Sequence, residues 1–129
     1  MAERGDIRIK VQVFGVASLD GHVIRFIAPI SADAILDKMP FVLRGRFSFR
    51  KKEYWTLPGL GLREGTNPKS TREVEAGDLV YNPKTDELMI IMKHILLPNK
   101  INMIGKITSD LEPLNNARNG LNTKIFKIK

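Results

Sequence analysis

The chain contains no cysteine, and that absence excludes disulfide staples, thiolate nucleophiles and cysteine-ligated metals together. Histidine is nearly as scarce. His22 and His94 lie far apart without the clustered carboxylates a metal site needs, so no metal is expected. Apolar residues nowhere run to about 18 in a row, which argues against a membrane-spanning helix. The opening MAERGDIRIK has no apolar core of the secretory kind and passes straight into a strand pattern. Neither GLGLREG (residues 59–65) nor any other stretch matches a P-loop or a dinucleotide fingerprint, and no Ser-His-Asp set can be assembled. Internal repeats, low-complexity tracts and linkers are also missing. The expectation is a single domain over residues 1–129, cytoplasmic, with no cofactor.

What the chain does have is positive charge. The net charge is +7 and the isoelectric point about 9.9, which favours an anionic partner: nucleic acid, an acidic protein or peptide, or a small anionic ligand. Most cations are scattered. Arg44, Arg46, Arg50, Lys51 and Lys52 form the one dense cluster, interleaved with Phe47, Phe49, Tyr54 and Trp55, a composition suited to a nucleic-acid platform. Strand alternation works against that reading, because it sets Phe47 and Phe49 on the face opposite Arg46, Ser48 and Arg50.

Hydrophobic periodicity makes the chain mainly β. Residues 7–14 alternate cleanly, with Ile7, Ile9, Val11 and Val13 on one face. Asp20-Gly21 reads as the turn of a hairpin whose second strand covers residues 22–27. Ser31 is a candidate N-cap for a short helix at residues 32–39, with Asp33 in the first turn, Ile35, Leu36 and Met39 on one face, and Pro40 as the stop. Residues 41–43, 46–50 and 53–57 read as extended, and residues 60–72 as the longest loop. The organising stretch is 77–107. A short strand at 79–81 and the turn NPKTD lead into ELMIIMK (87–93), an apolar run suited to a strand buried on both faces. Leu97-Pro98-Asn99 reads as a break before a strand at 101–107, in which Gly105 suggests a bulge or a close approach of backbone. A last strand at 123–128 could pair with the first. About eight short strands and one clear helix suggest a small closed barrel with the helix capping an open end.

This order of elements resembles the cyclophilins. The hairpin followed by APISADAILDKMP (28–40) is similar to the opening of that fold, and INMIGKI (101–107) to one of its late strands. EYWTLPG (53–59) together with AGDLVYNPKTDELMII (76–91) is closer to a minimal cyclophilin-like family of small uncharacterised prokaryotic proteins. The resemblance implies a cyclophilin-like β-barrel and, in the enzymes, peptidyl-prolyl isomerisation. Catalysis there uses a Phe-His-Arg triplet ahead of a Pro-Gly. Matching Pro58-Gly59 to that Pro-Gly puts Glu53, Tyr54 and Trp55 at the triplet, so the position of the catalytic Arg is held by Trp55. Glu87, Leu88 and Met89 fall where the enzymes carry Gln-Phe-Phe.

The leading expectation is therefore a non-catalytic or weakly catalytic barrel that binds a peptide or small anionic ligand. Its site would comprise Arg50, Tyr54, Trp55, Glu87, Met89 and Met92, with Phe47 and Phe49 adding apolar surface beside the 59–70 loop. The alternatives are an isomerase in which Arg50 replaces the missing cation, and a nucleic-acid module built on the basic cluster.

Overall fold

The computed structural model describes residues 6–47, 52–62 and 65–128. In chain order the elements are β1 (Asp6–Val13), β2 (Ala17–Ile24), α1 (Pro29–Lys38), β3 (Phe41–Arg44), β4 (Arg46–Phe47), β5 (Tyr54–Pro58), β6 (Thr71–Val74), β7 (Asp78–Asn82), β8 (Glu87–Ile91), β9 (Ile95–Ile107), a 3₁₀ turn (Glu112–Asn116) and β10 (Asn122–Lys127). Among the described residues no helix is long and apolar enough to cross a membrane. The protein is mainly β, as its periodicity predicts.

All pairings are antiparallel, in the order β3-β10-β1-β2-β9-β7-β8-β5-β4, with β6 attached separately to β9. The first and last strands do pair, through Ile9–Lys127 and Val11–Ile125. The order does not close into a barrel of about eight strands; among the described residues no ladder joins its two ends. Those ends, β3 and β4, are consecutive in sequence and separated only by Gly45. Gly45 donates its N–H to Leu121 O and accepts from Gly120 N–H. A Cβ at Gly45 would collide with the Trp55 indole, so only glycine lets the chain cross the ring here.

Two cores follow from the alternation. Trp55 and Leu57 of β5, Leu79 and Tyr81 of β7, and Leu88 and Ile90 of β8 point inward. They meet Ile9, Val11, Leu19, Val23, Ile104 and Ile125 in the main core. The opposite faces of the same strands present Val80, Met89 and Ile91. These pack beneath Val74, Leu97 and Ile101, contributed by β6 and the first half of β9. The 87–91 strand is thus buried on both faces, the structural reason for its unbroken apolar run.

Several local expectations change. Asp20-Gly21 is not a turn but lies within β2, opposite Lys10 and Ile9. The reversal occurs at residues 14–16, where Gly15 adopts φ 77°. Gly21 serves a different need, since a Cβ there would strike the carbonyl of Lys106 on β9. Gly105 is its counterpart across the same pair. A Cβ at Gly105 would strike the His22 carbonyl, and the register of β9 against β7 shifts beside it, so both readings of Gly105 hold. The helix starts at Pro29 rather than Ala32, with proline in its favoured first turn and Ala28 at the cap. Ser31 therefore caps nothing. Asp33 lies beyond the first turn and pairs with Arg25 at 2.6 Å in an exposed contact that raises the guanidinium's pKa further. Ile35, Leu36 and Met39 are buried against the sheet as their spacing predicts. Pro98 does not break β9. It lies where β6 skips register between Thr71 and Glu73, a place at which a strand tolerates a missing N–H.

Candidate functional site

Of the six residues expected to form one site, the five that are described do not converge. Tyr54 and Trp55 are neighbours on β5 and point to opposite faces. Trp55 is completely buried in the main core, where its indole N–H donates to Thr123 Oγ1 at 3.0 Å. The Phe47 ring packs edge-on against it, centroids 4.9 Å apart. Met92 joins that side, whereas Met89 is buried in the second core with Tyr54 at its margin. Glu87 sits at the edge of β8, bound to Arg46 at 3.2 Å and accepting from the Thr85 hydroxyl at 2.9 Å. Arg50 and Phe49 lie outside the described residues. Between β5 and β8 the space is core on both faces.

The basic cluster is likewise dispersed. Arg46 is paired with Glu87, while Lys52 donates to the Asn115 carbonyl at 2.7 Å and rests over the Phe47 ring. Arg44 is exposed on β3, and Lys51 lies outside the described residues. His94 pairs with Glu73 at 2.8 Å, not with Glu87. Among the described residues no three His, Asp or Glu side chains are grouped to hold a metal. The Tyr54 phenol has a displaced pKa. Burial, then the negative charges of Glu87 and Glu53, raise its phenol above the ordinary value of 10.0.

A different set of residues does converge, at one end of the second core. Three segments share the same residue types: Asn67-Pro68-Lys69, a turn in the long loop, Asn82-Pro83-Lys84 between β7 and β8, and Pro98-Asn99-Lys100 in the extended run of β9. Two of them are built alike. The Asn67 side chain accepts from the Lys69 N–H at 2.8 Å, and the Asn82 side chain from the Lys84 N–H at 3.0 Å. Both are Asx turns, in which the amide oxygen stands in for a backbone carbonyl. The second and third of these segments, with the residues just before Asn67, border an open pocket of about 290 Å³, lined by Gly65, Thr66, Pro83, Lys84, Asn99 and Lys100.

Two buried or half-buried polar side chains fix the pocket's walls. Asn102 on β9 is 1% exposed and fully used. It donates to Ser31 Oγ and to the Gly65 carbonyl, both at 2.9 Å, and accepts from the Asn67 N–H at 2.9 Å. One amide thereby ties the long loop to the start of α1. Asp86, in the left-handed region at φ 59°, accepts from the Tyr81 hydroxyl at 2.6 Å and from the N–H groups of Gly61 and Leu62. The earlier part of the loop is clamped there. None of the lining residues is acidic, and neither Lys84 nor Lys100 makes an ion pair among the described residues. Two ammonium groups, a threonine hydroxyl and an asparagine amide can together take up a carboxylate or phosphate. The repeated Asn, Pro and Lys were readable in the sequence. Their meeting was not, because it depends on β9 running past Pro98 without a break.

No family model matches the chain, and no curated protein matches it. Among solved structures it is similar to that of the hypothetical protein AF2241 from Archaeoglobus fulgidus, determined in solution. The TM-score is 0.79 at 19% identity, over 99% of this chain and 100% of the other. At that identity the likeness establishes a shared fold.

Proposed function

We propose that this protein is a non-catalytic binding scaffold that takes a small anionic ligand, or the terminal carboxylate of a peptide, in the pocket lined by Thr66, Lys84, Asn99 and Lys100. The observation that carries this reading is the placement of Lys84 and Lys100 around a pocket that has no acidic lining residue among the described residues. Lysine left without a counter-ion beside a concave, pre-anchored wall supplies charge and geometry at no cost in rearrangement. We further propose that the sheet is a cyclophilin-like barrel whose seam is sealed by Gly45 and by the Trp55–Thr123 hydrogen bond instead of a ladder. A cysteine-free chain suits the reducing cytoplasm.

Prolyl isomerisation is the weaker reading. The position that the cyclophilin resemblance gives to the catalytic Arg is Trp55, a fully buried core residue anchored to Thr123. A protease-coupled isomerisation assay is expected to give no turnover above background. The binding test uses inorganic phosphate and citrate as probes, followed by amide chemical shifts. Expected are saturable shifts confined to residues near Thr66, Lys84 and Lys100, abolished in Lys84→Ala/Lys100→Ala while the spectrum otherwise stays folded. Shifts scattered over all lysines, or unchanged in the double variant, would overturn the reading.

A further inference from the structure

A second cationic feature lies on other elements, across the outward faces of β3, β10, β1 and β2. Alternation in these strands turns Arg44 of β3, Lys124 and Phe126 of β10, and Arg8 and Lys10 of β1 away from the core. Register places them side by side. Phe126 is opposite Lys10, Lys124 stands between Val42 and Gln12, and Arg8 is opposite His22. Among the described residues the carboxylates on this face are Asp6 at the start of β1 and Asp20, which pairs with Lys10 at 3.4 Å. Lys106 at the far side is neutralised by Asp78 at 2.8 Å. Arg8, Arg44 and Lys124 have no ion-pair partner among the described residues.

Phe126 distinguishes this face from ordinary solvated charge. Its ring is only half-buried and lies under the Lys124 ammonium, 5.3 Å from the ring centroid. It also walls an apolar cleft of about 480 Å³, with Ile7, Met39, Pro40, Lys127 and Ile128. The cleft opens where β1 begins and β10 ends, beside the C-terminus of α1. A half-exposed aromatic ring at the mouth of an apolar cleft, flanked by unpaired cations on one sheet face, matches how single-stranded nucleic acid is held. Bases stack on π surfaces and phosphates meet cations, with little demand on sequence.

We propose that this face binds single-stranded nucleic acid, one base lying against Phe126 in the cleft and the adjoining phosphates on Lys124, Arg8 and Arg44. An acidic protein would answer the cations but leave the cleft and the ring unused. This surface is separate from the Lys84/Lys100 pocket and does not depend on it.

Fluorescence anisotropy with a labelled oligouridine, titrated at several salt concentrations, tests the idea. Affinity is expected to fall with salt at a log–log slope of about −0.7 for each phosphate contact. Lys124→Ala should reduce the magnitude of that slope by about one contact. Phe126→Leu keeps an apolar side chain in the cleft and should weaken binding about tenfold through lost stacking, with the salt slope unchanged. Lys84→Ala/Lys100→Ala should bind as the parent does. Equal affinity for heparin, insensitive to Phe126→Leu, would reduce the face to a general polyanion surface and overturn the proposal. So would competition by uridine monophosphate as strong as by the oligomer, or parent-like oligouridine binding by both Lys124→Ala and Phe126→Leu.

Discussion

The two cores are built on different rules, although β5, β7 and β8 contribute to both. The main core holds the large aromatics, and its polar ends are tethered: Trp55 to Thr123, and Tyr81 to Asp86. The second core is aliphatic and methionine-rich, with Tyr54 half-exposed at its rim. A tethered aromatic specifies one arrangement of the strands around it, because its buried N–H or O–H must find a particular partner. An aliphatic patch asks only that enough apolar surface be covered. The main core therefore positions the sheet, and the second secures the β6–β9 cover over its outer face.

Four substitutions would sharpen or break that contrast. Trp55→Ala should be the most damaging, costing about 3–5 kcal/mol in denaturant unfolding from the cavity alone. It also leaves Gly45 facing a void. Met89→Ala in the second core should cost about 2–3 kcal/mol, while Met89→Leu should cost under about 1.5 kcal/mol because aliphatic packing tolerates reshaping. If the two alanine variants proved equally destabilising, the division of roles would fail. Asp86→Ala should cost about 1–3 kcal/mol, since it removes an acceptor of the Tyr81 hydroxyl and of two loop N–H groups. Hydrogen exchange would report it as faster exchange at Gly61 and Leu62, with β7 little changed.

The smallest effect concerns Tyr54. Its folded phenol is raised above 10.0, so the unfolded chain loses that proton first as pH rises. The contribution is present below the unfolded value and is lost as pH climbs through the folded one. Tyr54→Phe should flatten the decline in stability above about pH 10, leaving stability at neutral pH nearly unchanged. An identical alkaline decline in both proteins would remove Tyr54 from the account.

Elements whose signal is local were legible in the sequence. β1 alternates, β8 is apolar after Glu87, and Pro40 marks the end of α1 to within two residues. What misled was residue chemistry with more than one use. Asp20-Gly21 carries the composition of a hairpin turn, yet Gly21 is small because β9 crosses it. Pro98 reads as a terminator, yet its missing N–H falls at a skip in register. Ser31 has the form of a cap, yet its hydroxyl serves Asn102, distant in sequence. The site residues failed for a related reason. Adjacency in a strand separates Tyr54 from Trp55 as surely as it joins them, and only knowledge of a second core says that both faces are filled. The pocket at Lys84 and Lys100 depends on the same hidden fact.

β9 is the one strand shared by both sheets. Its first half pairs with β6 over the second core, and its second half pairs with β7 and β2 around the main one. Ile101 and Ile104, only three residues apart, belong to different cores. Neither core can loosen without pulling on the other through a continuous backbone. Heating should accordingly melt the protein in a single cooperative step, with calorimetric and van't Hoff enthalpies in agreement. The cover would then serve as the latch that makes thermal unfolding all-or-none.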